Sequence, residues 1–273
     1  MAMKWLTPMD ETEFDTFLRA IMPINNEAHM LRNFITTVDD GLARALADYQ
    51  KECEKPIDVD DEYRHYIEEA QQDTLVEIGG FYPMFAWSST FITIYTLLEH
   101  EMISIVKHMG EVRGVTKHPE HGNYVKKGRR GIFAAREFLN TEFDMDPAKD
   151  RRWAELDDFA QIRNCLAHDR GILGEPPADP AAPLAKGQER DRKIRAYVAR
   201  NPGLISIDPD GQLNLGGGIC NHAIDVVEGF LNQVIDEARL WLFRWNDEKG
   251  TPIKKPFRTK YLTPRIPFTS NRG

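Results

Sequence analysis

Three side chains near the end of one segment offer the clearest chemistry in this sequence. Arg163, Asn164 and His168 lie within Ile162-Arg163-Asn164-Cys165-Leu166-Ala167-His168-Asp169-Arg170-Gly171. An imidazole exchanges a proton near neutrality and can serve as acid or base. A guanidinium forks onto an anion's oxygens in a way an ammonium does not. Helical spacing puts Asn164 and His168 on one face. Arg163 and His168 stand about 140° apart around a regular helix. They meet only if the arginine bends, if the helix loosens near Gly171, or if a second subunit completes the site. Arg163 also falls on the stripe of Trp153, Leu156, Ala160 and Ala167, where a charge is costly unless paired or functional. On spacing alone the plain alternative stands beside this: an arginine that snorkels and a histidine that caps the last turn.

Other candidate sites are weaker. His118 and His121 form H-x-x-H with His108 upstream, and three imidazoles suit zinc. Here the pair sits in a polar stretch with Pro119 and Gly122 and no nearby cysteine, so no metal site is expected. Gly216-Gly217-Gly218 before a helix offers backbone N–H groups to an anion, though such a run more often only closes a hairpin. There is no glycine-rich phosphate loop, no G-x-S-x-G and no H-E-x-x-H. No cofactor is expected.

These residues need a scaffold, and the composition describes one. The 273 residues are 41% hydrophobic and 29% charged, which suits a globular chain and not a disordered one. The most apolar stretch, Phe81 to Leu98, is interrupted by Ser88, Ser89, Thr90, Thr93 and Thr96, so no membrane span is expected. No secretory signal is expected from the first residues. The three cysteines, Cys53, Cys165 and Cys220, are odd in number and far apart, which suits a reducing cytoplasm. The net charge of −8 argues against a general nucleic-acid coat protein. Two stretches run the other way. Lys107 to Arg130 holds seven Lys and Arg, among them Lys126, Lys127, Arg129 and Arg130; Glu248 to Gly273 holds seven more. Either can meet a polyanion or simply be solvated.

Helical periodicity dominates. Helices are expected over 11–22, over 25–54 with Met30, Phe34, Val38, Leu42, Leu46 and Tyr49 as the stripe, and over 60–78, ended by Gly79 and Gly80. Trp87, Phe91, Tyr95, Leu98, Met102, Ile105 and Met109 recur at steps of four and three, the seam of a long bundle helix. Glu99 sits beside the seam and Gly110 ends it. Helices follow over 131–140, 150–169, 188–200 and 219–245, the last with Ala223, Val226, Phe230, Val234, Ala238 and Trp241 inward. A small hairpin near 204–215, with Asp210-Gly211 at its turn, is the only strong β signal. The expectation is an all-α bundle with one hairpin: an N-terminal helical arm over 1–57, the bundle over 58–247, and a basic, proline-containing tail over 248–273.

Arg163-Asn164-Cys165-Leu166-Ala167-His168 resembles the R-x-x-x-x-H motif, with a polar residue after the arginine, of the HEPN superfamily (higher eukaryotes and prokaryotes nucleotide-binding domain). The long helix through Phe91 to Met102 resembles that family's first core helix, with Glu99 at its recurring acidic position. The run Lys127 to Phe138, the hairpin and the final helix extend the similarity over roughly 80–245. The resemblance implies a helical bundle, often dimeric, and a metal-independent endoribonuclease of the kind found in toxin–antitoxin and phage-defence systems. It implies Arg163 for phosphate charge, His168 as base or acid, Asn164 to orient His168 or hold a phosphate oxygen, and Glu99 to position Arg163. Lys126, Lys127, Arg129 and Arg130 would guide RNA, and an antitoxin or activator protein is an expected partner. In one branch an adenylylated tyrosine follows two residues after the histidine; here that position is Arg170. The alternatives are a non-catalytic HEPN-like module that binds nucleotides or RNA or only dimerises, and a helical scaffold acting through its N-terminal arm.

Overall fold

A computed structural model of the chain describes residues 23–56, 59–113, 131–176 and 184–248. They are mostly helical, with one small two-stranded sheet. The helices are α1 (Pro23–Cys53), α2 (Asp61–Val76), α3 (Tyr82–Arg113), α4 (Ile132–Phe143), α5 (Trp153–Asp169), α6 (Lys186–Arg200) and α7 (Gly217–Glu248). No helix among the described residues is long and apolar enough to cross a membrane. The expected helix over 11–22 and the basic positions Lys126, Lys127, Arg129 and Arg130 lie outside the described residues.

Helix α3 is the axis of the bundle. Its seam from Trp87 to Met109 is almost wholly removed from water, joined by Ile94 and Val106. Packed against it are α7, α4, α5 and α1. From α7 come Ala223, Val226, Phe230, Val234 and Ala238, all buried, while Trp241 is partly buried against the same core. Aromatic edges lock the layers: Trp153 of α5 lies 5.8 Å from Phe230 and 5.5 Å from Phe133, and Phe143 lies 4.8 Å from Trp241. Such pairs add about 1 kcal/mol each beyond the area they bury.

Two glycine stops behave differently from expectation. Gly79 and Gly80 do not end a helix. They lie in a π-helical turn, Glu77–Phe81, that joins α2 directly to α3. Gly79 is where α1 passes closest, with a Leu46 methyl 3.8 Å from where a Cβ would stand. Nor does Gly110 end α3, which runs on to Arg113. A glycine costs a helix interior only about 1 kcal/mol, less than burial of a long seam returns.

Helix α1 packs along α7 and α3, held by Arg32 to Asp225 and Glu228 at 2.6 and 2.7 Å. Of the expected stripe, Val38 and Leu42 face the core and Met30 and Phe34 do not. Ala28 and Ile35 enter the core with Leu31, Val38 and Leu42 beside them, whereas Met30 and Phe34 are 61% and 50% exposed. Position 35 lies one helical step from 34, so a short window fits both faces. In α5 the expected Trp153, Leu156 and Ala160 are buried, joined by Phe159, Ile162, Cys165 and Leu166, whereas Ala167 is exposed.

The hairpin pairs β1 (Ile205–Ile207) with β2 (Leu213–Leu215) in antiparallel register, Ile205 opposite Leu215. Its loop is longer than the two-residue turn that Asp210-Gly211 suggests. Asp208 Oδ1 accepts from the backbone N–H groups of Asp210 and Gln212, and Gly211 takes φ 83°. An isolated bridge joins Gln212 to Ile172, which ties the hairpin to the segment after α5.

Candidate functional site

The site is built by two helices whose contact is set one turn below it. Phe91 of α3 meets Phe159 of α5 edge to face at 5.4 Å. Four residues on, Tyr95 carries the Arg163 guanidinium over its ring at 4.9 Å. Four further along α3, Glu99 Oε1 accepts from Arg163 Nη2 at 2.7 Å. Residues at i, i+4 and i+8 share a helix face, so the apolar contact fixes the polar one. Arg163 Nη1 also donates to Asn164 Oδ1 at 3.0 Å. The arginine on the core stripe is therefore paired, with Nε left buried and unpartnered. Arg163 and Glu99 are each about a quarter exposed.

The electrostatics follow from that half-burial. Burial raises the Glu99 carboxyl above its ordinary range, and the charge and hydrogen bond of Arg163 only partly oppose it. Burial likewise pushes the Tyr95 phenol up, with Glu99 adding to the effect. It pushes the Cys165 thiol up to about 11, so that thiol is not a nucleophile near neutrality. Gly131 closes one side of the cluster. It has φ 58° and stands at the start of α4, and a Cβ there would overlap the Glu99 carboxylate.

The structure thus brings together Arg163, Asn164 and Glu99, but not His168. The imidazole is exposed on the last turn of α5, and among the described residues it makes no hydrogen bond or ion pair. The chain then reverses through Arg170, left-handed at φ 56°, and Gly171 at φ 79°. Arg170 is exposed and likewise has no carboxylate partner among the described residues.

Four participants carry no mark in the sequence of the part they play. Tyr95 was legible as a core residue and, one turn before Glu99, as its neighbour; nothing local marked it as the platform for Arg163. Gly131 gave no signal, because the close approach is tertiary. Arg190 and Asp191 on α6, which hold the turn after the motif, lie across a proline-rich loop and also gave none.

The remaining candidates resolve simply. Gly217 and Gly218 open α7, and a Cβ on Gly217 would come within 2.5 Å of Asp39 Oδ2. A resident carboxylate therefore already sits at that helix N-terminus, where an external anion would have to compete with it. His118 and His121 lie outside the described residues, and among the described residues no cluster of His, Cys, Asp or Glu could hold a metal. An open groove of about 820 Å³ runs between the ends of α4 and α7, past Phe143, Asp144, Leu240 and Trp241; none of the motif residues lines it. Comparison with protein-family models, with curated proteins and with solved structures finds no match to this chain.

Proposed function

We propose that this chain is a metal-independent endoribonuclease of the HEPN type, acting in a toxin or phage-defence setting. The observation that carries the reading is one helix end holding two unlike groups. Arg163 is fixed by Glu99, Asn164 and Tyr95, and an exposed imidazole with no partner among the described residues stands on the last turn of the same helix. The motif residues Arg163 and His168 support it by their resemblance to the family.

In this reading His168 takes the proton of the ribose 2′-OH as that oxygen attacks the adjacent phosphorus. The bond to the 5′-oxygen breaks, and a proton must reach that leaving group. One imidazole cannot hold both roles in one step. A homodimer that sets two His168 side chains on one cleft supplies the second. Arg163 stabilises charge on the crowded phosphate. The products are a 2′,3′-cyclic phosphate and a 5′-hydroxyl. A single 2′-deoxy substitution at a cut site tests this: cleavage there stops if the 2′-oxygen is the nucleophile, and continues if water is. RNA, a second copy of the chain and an antitoxin or activator protein are the partners proposed, with the cytoplasm as the setting.

One observation favours a second reading, a non-catalytic HEPN-like module that binds nucleotides or RNA or only dimerises. Each terminal nitrogen of Arg163 already serves a partner in its own chain, and no contact links Arg163 to His168. A folded dimer that binds RNA without cutting it would favour this module.

A further inference from the structure

The turn that follows His168 closes α5 in a left-handed cap, with Gly171 N donating to Cys165 O at 3.1 Å and Ile172 N to Asp169 O at 2.9 Å, and the rest of the fold ties it down on two sides. Arg170 is left-handed, a region L side chains rarely adopt, and Gly171 follows with positive φ. A Cβ on Gly171 would stand 2.7 Å from Gln212 Nε2 and 3.1 Å from a Leu166 methyl. The hairpin grips this turn from one side. Leu213 N donates to Gly171 O at 2.9 Å, Leu173 N to Gly211 O at 2.9 Å, and Gln212 Nε2 to Arg170 O at 3.1 Å.

Helix α6 grips it from the other. Arg190 Nη1 is ion-paired to Asp169, the residue after His168. Arg190 Nε and Nη2 both reach Asp191 Oδ1, at 2.9 and 2.6 Å. The other oxygen of Asp191, a residue only 8% exposed, accepts from Gly174 N at 2.9 Å. One guanidinium thus brackets the turn at both ends, at residue 169 directly and at residue 174 through Asp191. A lysine has the charge but not the planar fork for this. Among the described residues the imidazole it neighbours has no hydrogen bond of its own, so the backbone at the end of α5 sets where His168 is presented.

We propose that Arg190 is a positioning residue for His168: through Asp169 and Asp191 it fixes the turn that closes α5, and so the place of the imidazole. The proposal rests on the nuclease reading for its effect on rate, and on geometry alone for its effect on the imidazole. Misplacing a reacting group by about 1 Å costs on the order of a hundredfold in rate.

The test uses the full chain with Arg190→Lys, and Arg192→Lys as control on the same helix, where the exposed arginine pairs, among the described residues, only with Glu189 one turn away. Single-stranded RNA is the substrate. Arg190→Lys is expected to lower kcat about 10- to 100-fold with KM within about twofold, and Arg192→Lys to leave both unchanged. Because Arg190 acts through His168, adding Arg190→Lys to His168→Ala should slow cleavage no further. An unchanged kcat, or losses that multiply in the double variant, overturns the proposal. The imidazole resonances of His168 provide a readout that needs no cleavage. They should shift or broaden in Arg190→Lys and not in Arg192→Lys; identical resonances in both variants overturn it. If the wild-type chain cuts no RNA, the nuclease reading fails, and these resonances alone decide the positioning claim. Should Arg190→Lys fail to fold, Asp169→Asn releases only one end of the bracket and is held to the same outcomes.

Discussion

Removing the charge of Arg163 should cost far more than removing that of its partner, because the two members of the pair stand in different balance with burial. Glu99 is held above its ordinary range by burial, which Arg163 opposes without cancelling. The folded protein therefore holds a proton on Glu99 more tightly than the unfolded chain does. The Glu99 contribution to stability is complete below the ordinary glutamate value of about 4.3 and falls as pH rises through the raised value. Glu99→Gln keeps the neutral shape, so its cost at pH 8 should stay within about 1 kcal/mol. Arg163→Gln instead leaves a half-buried carboxylate alone. Two charges about 4 Å apart at an effective dielectric of about 20 interact by about 4 kcal/mol. With each side chain about a quarter exposed, water screens part of this, and about 2 kcal/mol is the expected loss. For a chain of this size that lowers Tm by roughly 4–8 °C. The double variant should recover most of it, and the loss in Arg163→Gln should be smaller at pH 5 than at pH 8, because lower pH favours the neutral Glu99 carboxyl that burial already favours. Thermal and urea unfolding of the four proteins at both pH values measures this cycle. Single losses that simply add, with coupling under about 0.5 kcal/mol at pH 8, would refute the reasoning.

Three further outcomes follow from the geometry. Gly131→Ala puts a Cβ on a left-handed residue and against the Glu99 carboxylate, and should cost about 1–3 kcal/mol in denaturant unfolding. Ile35→Ser should destabilise by more than about 2 kcal/mol while Met30→Ser stays within about 0.5 kcal/mol, since only Ile35 is buried; equal losses would return α1 to the stripe of Met30 and Phe34. Phe159→Ala should cost about 3–5 kcal/mol in unfolding and, by releasing the contact under Arg163, lower RNA cleavage as well.

Much of the scaffold was legible from period alone. The α3 seam and the α7 stripe are long, so a phase error of one residue accumulates and becomes visible. In α1 the expected Val38 and Leu42 do pack on the core, but Ala28, Leu31 and Ile35 complete the inward face while Met30 and Phe34 at the start of the stripe point outward, one helical step away. Gly110 misled because local propensity is weaker than the burial of a long packed face, whereas Gly79 and Gly80 are carried through in a π-helical turn that buries none of its residues. At the site, the charge on an apolar stripe was a true signal: Arg163 needed a counter-ion, and Glu99 beside the neighbouring seam supplies it. That His168 stands apart from Arg163 follows from the five-residue spacing in a helix that stays regular to Asp169. What sequence could not carry was anything depending on long-range approach, such as Gly131 against Glu99 or Arg190 bracketing the motif turn.

The activity proposed for this chain is cleavage of RNA without a metal, through His168. The most direct measurement is cleavage of a labelled single-stranded RNA and of the matching DNA, with EDTA present, by the wild-type chain and by a folded His168→Ala. The account predicts cutting of RNA only, slowed in the variant by roughly 10²–10⁴-fold. Equal cutting by both proteins, or cutting of the DNA strand, would contradict it.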